Sequence, residues 1–221
     1  MTSPTLCSKA IILTGPVGSG KTSLLNSILQ LRSSEEPDWA VLVNDTGRTE
    51  VLADSTCTTS RHIHVKTVYG ACEMSAKTGV PMSKAVTETL RTSQPSCFVI
   101  ELSTLARPKV LQTLLKSADA VASVQVVALI PLMQHTDLWR LSATYRSQLE
   151  QADVLAVRWS GADQETKSEE ALNDIKQHLP DVHIMLWTYS SYQPSTKHGE
   201  IYSLDQIASF LLESGAEEDS S

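Results

Sequence analysis

Apolar runs of strand length alternate along the chain with stretches whose apolar residues recur at helical spacing. The runs are Ala10-Ile-Ile-Leu-Thr14, Ala40-Val-Leu-Val-Asn44, Val65 to Tyr69, Cys97-Phe-Val-Ile-Glu101, Val121 to Ile130, Val154 to Val157 and Val182 to Leu186. They are continuous rather than alternating, the pattern of strands covered on both faces. Between them Leu24, Leu25, Ile28 and Leu31 fall on one helical face, as do Met82, Ala85, Val86 and Leu90, and Ala171, Leu172, Ile175 and Leu179. Two helix starts carry capping-box spacing, Thr166-Lys-Ser-Glu169 and Ser203-Leu-Asp-Gln206, the second leading into Leu204, Ile207, Phe210 and Leu211. Alternating strands and helices predict an α/β fold, a mainly parallel sheet flanked by helices with ligands at the carboxyl ends of its strands. No repeat is present, and the polar stretches Arg32 to Asp38 and Arg48 to Arg61 read as loops within one domain over residues 1–213.

Composition narrows the function classes. With 221 residues, 41% hydrophobic and 19% charged, the chain can build a core and is not generally disordered. Its net charge of −7 argues against retention on nucleic acid or anionic lipid by bulk positive charge. Cys7, Cys57, Cys72 and Cys97 include no CxxC pair, which points to a reducing compartment. No run reaches the about 18 apolar residues of a membrane span, and Met1 to Ser8 lacks the features of a secretory signal. A cytoplasmic location is expected, with residues 214–221 as an acidic flexible tail.

The sharpest chemical signal is Gly15-Pro16-Val17-Gly18-Ser19-Gly20-Lys21-Thr22, which satisfies G-x-x-x-x-G-K-[ST] after a buried strand and before an amphipathic helix. Glycines there permit positive φ and close backbone approach, so successive N–H groups and a helix N-terminus can surround a polyphosphate. Lys21 is expected at the outer phosphates, the Thr22 hydroxyl on Mg²⁺, and Ser23 at an inner phosphate. The alternative is a glycine-rich turn that binds nothing, which has no need of an adjacent lysine and hydroxyl.

A phosphate-bound Mg²⁺ takes oxygen ligands and water. Glu101 ends a hydrophobic strand, where it can hold a metal-bound water or orient an attacking one; Asp45 follows the second strand, where a loop can reach the γ-phosphate. The structural alternatives are a capping or ion-paired Glu101 and a turn-forming Asp45.

These segments resemble the CobW-type branch of the P-loop GTPases, whose relatives include the nickel-insertion GTPases of urease and hydrogenase maturation. The resemblance rests on the phosphate loop, on Val43-Asn-Asp-Thr-Gly47 for the family's Asn-Glu-Phe-Gly, and on Glu101-Leu-Ser-Thr-Leu-Ala-Arg-Pro108 for its Glu-Thr-x-Gly-Leu-Ala-x-Pro. Gln151-Ala-Asp-Val-Leu155 and His198-Gly-Glu-Ile201 extend it, so that it covers about residues 10–212. It implies a three-layer P-loop NTPase domain that couples GTP binding and hydrolysis to delivery of zinc, cobalt or nickel, and a client or partner protein. No counterpart of the carboxy-terminal domain of many longer relatives is expected, and the oligomeric state is left open, with a dimer among the alternatives.

Departures from that pattern are specific. In place of Gly-Cys-x-Cys-Cys stands Gly70-Ala-Cys-Glu-Met74, leaving Cys72 as the one thiol. A zinc or nickel site could then draw on Cys72, Glu73, Met74, His62 and His64, or the segment is an ordinary loop with a thiol and two surface histidines. In place of Asn/Thr-Lys-x-Asp stands Arg158-Trp-Ser-Gly161, with Asp163 beyond. Loss of the guanine-reading carboxylate removes charge-assisted bonds of about 1.5–3 kcal/mol each, so weak discrimination between GTP and ATP is expected unless Asp163 substitutes. Trp159 either stacks on a base or packs at a strand end. Thr104 stands where the family has the glycine that meets the γ-phosphate, Arg107 is the nearest arginine for a finger role, and Pro131 follows the fifth strand without the family's Asp-Ala. Three readings result: a slow Mg²⁺-dependent NTPase, a non-hydrolysing nucleotide-binding module acting through a partner protein, and a small-molecule phosphotransferase using the same loop, for which no acceptor site is recognisable.

Overall fold

The continuous apolar runs become strands because both of their faces find helices to pack against. In a computed structural model that describes residues 7–32, 38–45, 63–69, 79–117, 121–159, 165–188 and 200–214, they form β1 (Cys7–Thr14), β2 (Trp39–Asp45), β3 (Ile63–Tyr69), β4 (Cys97–Glu101), β5 (Val121–Pro131), β6 (Val154–Arg158) and β7 (His183–Trp187), with a short β8 (Ile201–Tyr202). Helices α1 (Lys21–Gln30), α2 (Gly79–Ser93), α3 (Pro108–Ser117), α4 (Leu132–Leu141), α5 (Ala143–Glu150), α6 (Glu165–His178) and α7 (Leu204–Glu213) connect and cover them. The strands make one parallel sheet in the order β3-β2-β4-β1-β5-β6-β7-β8. Since β1 lies between β4 and β5, the chain runs outward on one side and then on the other. The switch point therefore falls at the carboxyl end of β1, the position at which ligands bind in open sheets of this kind.

One layer consists of α1 and α7, whose Leu24, Leu25, Ile28, Ile207 and Leu211 pack on Ile11, Leu13, Val41 and Leu129. The opposite layer carries α2 and α3 over Ile12, Leu42 and Ile100, and α5 and α6 over Ile130, Leu155 and Val157. Each large apolar side chain fully withdrawn from water contributes about 1.5–3 kcal/mol, so this two-faced burial is the main driving force for the sheet.

Boundaries differ from the sequence expectation in instructive ways. Ser203 forms the expected capping box, accepting from Gln206 N at 3.1 Å while Ser203 N donates to Gln206 Oε1 at 2.7 Å. The box expected at Thr166 does not form at that position, because α6 already includes Glu165. Helices α3, α4 and α5 are absent from the sequence reading. The buried positions of α4 are Leu132 and His135, and those of α5 are Tyr145, Gln148 and Leu149, so polar residues interrupt the apolar period that would betray them. The loops expected over 32–38 and 48–61 and the tail over 214–221 lie largely outside the described residues.

Buried polar groups tie the layers together. The Lys9 ammonium, on β1, donates to the Leu211 carbonyl and to Ser214 Oγ at 3.3 Å, neutralising the carbonyl end of α7; burial lowers its pKa. Asp153 pins the start of β6 to β5, accepting from Val126 N at 2.7 Å through Oδ2 and donating its own N–H to Val126 O at 2.8 Å. His135, with no solvent exposure, bridges Tyr145 Oη at 3.1 Å and Asp174 Oδ2 at 3.2 Å, joining α4, α5 and α6. Burial pushes the Tyr145 hydroxyl upward and holds the His135 imidazole below its ordinary value against the opposing pull of Asp174.

Candidate phosphate-binding site

The segment between β1 and α1 turns on three glycines with positive φ: Gly15 at +136°, Gly18 at +74° and Gly20 at +103°. At Gly15 the need is steric as well as conformational, because a Cβ there would overlap the Leu129 carbonyl oxygen of β5 and come within 3.0 Å of Ser19 Oγ. The loop is thus pressed against β5 while Val17 and Gly18 face outward. Ser19 N closes it with a bond to Pro16 O at 3.3 Å. Gly20 caps α1 without a side chain, and the first turn of α1 contains no acidic residue. The positive end of the helix dipole therefore meets the loop with no carboxylate of its own turn to offset it.

Lys21 folds back over this ring, its Nζ donating to Gly15 O at 2.9 Å and Pro16 O at 3.0 Å. Thr22 Oγ1 donates to Glu101 Oε1 at 2.8 Å, although the two residues are 79 apart in sequence. The parallel register explains the meeting: Glu101 pairs with Val43 on β2 and with Leu13 on β1, two residues before the loop begins at Gly15. Thr14 Oγ1, at the end of β1, and Ser19 Oγ, within the loop, are buried without a hydrogen-bond partner among the described residues. A loop of positive-φ glycines at a helix N-terminus, with a buried serine hydroxyl left unpartnered within it, fits an anionic oxygen chain. A hydroxyl beside a carboxylate fits Mg²⁺, which prefers oxygen ligands.

Of the remaining expected residues, Asp45 ends β2 opposite Tyr69, two residues past the row of Glu101. Ser23 lies in the first turn of α1. Trp159 departs from the stacking role weighed for it and follows the packing alternative: at 2% exposure it is enclosed by the cluster of Ile130, Leu155, Leu172 and Leu186, and its backbone N–H donates to Trp187 O at 2.7 Å. Asp163, Cys72, Glu73, Met74 and His62 lie outside the described residues, as does the side chain of His64. Among the described residues no group of three or more His, Cys, Asp or Glu side chains is placed to hold a metal ion, and no helix is long and apolar enough to cross a membrane.

Sequence reasoning missed three participants. Arg158, at the end of β6, donates through Nη1 to Gly18 O at 2.9 Å and so braces the loop from the side opposite Glu101. Gln148 Nε2 donates to Thr104 O at 3.0 Å and Ala106 O at 2.8 Å, and Gln151 Oε1 accepts from Lys109 N at 2.9 Å. No local signal marks these glutamines, since their partners lie some forty residues away.

Solved structures share this architecture at low sequence identity. HypB from Archaeoglobus fulgidus superposes with a TM-score of 0.57 at 14% identity, over 94% of this chain and 90% of that one. HypB from Helicobacter pylori, solved in complex with nickel, gives 0.53 at 19% identity over 96% and 88%. The Zn(II)-bound YjiA GTPase from E. coli gives 0.50 at 17%, and the chain spans 63% of its length. A comparison with curated proteins finds no match. At these identities the structural likenesses establish the fold alone, while the sequence itself, from residue 9 to residue 185, matches the family model described as CobW/HypB/UreG, nucleotide-binding domain. Phosphate loop, sheet order and family match agree, and the chain belongs to the CobW/HypB/UreG nucleotide-binding-domain family.

Proposed function

We propose that this chain binds a nucleoside triphosphate with Mg²⁺ in the loop of residues 15–22 and hydrolyses it slowly. The observation that carries the reading is the loop itself: three positive-φ glycines, an overlying lysine, and a threonine hydroxyl already joined to a strand-end carboxylate. Thr22 and Glu101 would hold Mg²⁺, which supplies charge neutralisation on the phosphate oxygens. Lys21 and the loop N–H groups would balance the charge that develops as water attacks the terminal phosphorus in line. Glu101, with Asp45 as the second candidate, would orient that water. Arg107 is exposed in the connection after β4, and no arginine is assigned to the transferred group, in keeping with slow turnover.

The competing reading is a nucleotide-binding module that acts through a partner protein without turnover. Two observations favour it: a β-branched Thr104 in the segment after Glu101, and the enclosure of Trp159, which leaves base recognition without its expected stacking group. Delivery of zinc, nickel or cobalt belongs to the first reading only if Cys72 takes part in a site.

Titration with fluorescent GTP and ATP analogues, with and without Mg²⁺, tests the shared premise. Binding is expected to require Mg²⁺, to favour GTP by less than about a hundredfold, and to weaken sharply in Lys21→Ala; equal binding by that variant and the parent overturns both readings. Phosphate release that falls in Glu101→Gln supports hydrolysis, and release no higher than a heat-treated control supports the module. Zinc or nickel analysis of the parent and of Cys72→Ser decides the delivery branch.

A further inference from the structure

We propose that Gln148 and Gln151 make α5 a clamp that holds the β4–α3 connection, residues 102–107, in one conformation whichever phosphate chain occupies the loop of residues 15–22. The inference rests on the nucleotide-binding reading for its ligand but on the protein's own contacts for its mechanism. Gln148 is 1% exposed, and its amide nitrogen places both of its N–H groups on the same short connection, at Thr104 O and Ala106 O. An amide nitrogen has two donors and no more, so Gln148 Nε2 is saturated by these two carbonyls. Gln151, the C-cap residue of α5, reaches Lys109 N at the start of α3 with its carbonyl oxygen, while its own Nε2 donates to Ser147 Oγ at 2.6 Å. The connection is also fastened to β1 by Leu102 N to Leu13 O at 2.9 Å and closed on itself by Ala106 N to Ser103 O at 3.1 Å, and its Leu102 and Ala106 side chains are fully buried.

The clamp stands on a firm base. Tyr145, three residues before Gln148 on α5, is hydrogen-bonded to buried His135, which in turn meets Asp174 of α6. For the connection to swing toward or away from a terminal phosphate, two carbonyls would have to leave a donor that is 1% exposed, and a buried donor left unpaired is costly. Glu101 is the residue immediately before this connection, so the same clamp fixes the position of the carboxylate that meets Thr22. Gln148 and Gln151 are positioning residues: they reach the site only through residues 102–109. The functional consequence is a holder that does not report whether its ligand is a nucleoside diphosphate or a triphosphate through this segment, in contrast to coupled sites, whose effect is typically 5–150-fold.

Hydrogen exchange of the Leu102 and Ala106 amides tests this in the full chain, unliganded, with Mg²⁺ and GDP, and with Mg²⁺ and a non-hydrolysable GTP analogue, binding being measured separately by titration. In the parent the two liganded states are expected to exchange within about twofold of one another, well below the coupling range above. Gln148→Met keeps the volume and removes the donors; it is expected to raise Ala106 exchange by about tenfold or more in the unliganded protein and to make the two liganded states differ. A parent whose connection exchanges more than about fivefold differently with GDP and with the analogue, or a folded Gln148→Met that exchanges as the parent does, overturns the clamp. If Gln148→Met does not fold, the parent comparison decides alone. If no nucleotide binds, the function proposed above fails while the unliganded comparison of parent and variant still decides whether the clamp exists.

Discussion

Two glycines of the phosphate loop have the same local excuse for being glycine and different tertiary ones, which allows the packing term to be isolated. Gly18 has φ +74° and a Cβ there would meet nothing within 4 Å, so Gly18→Ala adds only left-handed backbone strain, about 1–2 kcal/mol. Gly15 has φ +136°, and its Cβ would overlap the backbone oxygen of Leu129 and lie 3.3 Å from the carbonyl carbon. The Leu129 carbonyl belongs to a central strand whose side chain is fully buried, so it cannot swing aside as a flexible side chain would. Shifting packed backbone adds about 1–3 kcal/mol, giving roughly 2–5 kcal/mol for Gly15→Ala. In urea, with a slope of about 2 kcal/mol/M, the midpoint should fall by about 0.5–1 M for Gly18→Ala and by about 1–2.5 M for Gly15→Ala. The two variants are compared by circular dichroism in parallel titrations, with the slope checked for constancy. Equal midpoints would refute the claim that the β5 backbone dictates the first glycine, and would leave only the generic preference for positive φ.

Two pH dependences follow from buried groups. The Cys7 thiol, pushed up to about 11 by burial, stays protonated in the folded chain while the unfolded chain ionises above its ordinary 9.0. The folded state then binds more protons, so stability should fall as pH rises from 9 toward 11, by about 1 kcal/mol for the first unit; urea midpoints at pH 8 and 10 should show a smaller drop in Cys7→Ala than in the parent. His135 works at the other end, because burial lowers its pKa below 6.5 while Asp174 opposes the shift and His178 adds to it. Below pH 6.5 the unfolded chain takes up the proton first, so stability should decline as the solution is acidified. A slope between pH 7 and 5 that is the same in His135→Gln and the parent would remove His135 as its source.

The order of amino acids was enough to reveal the two-sided strands, the phosphate loop and the family resemblance. Each is local: a run such as Cys97 to Glu101 is apolar at every position because both of its faces will be covered, and G-x-x-x-x-G-K-T sets backbone and charge within eight consecutive residues. It also supplied Glu101 as a strand-end carboxylate. Tertiary structure decided what such residues meet. Parallel register brings Glu101 to Thr22, and the β6 end brings Arg158 to Gly18. Enclosure by helix α6 and strands β5 to β7 turns Trp159 from a possible base platform into core. Helix α5 escaped detection because one of its three buried positions, between Tyr145 and Leu149, is Gln148, whose burial makes sense only beside the Thr104 and Ala106 carbonyls that it satisfies. Apolar periodicity records how much of an element is withdrawn from water; it is silent about polar groups whose burial is balanced by partners far along the chain, and those partners exist only once the chain has folded.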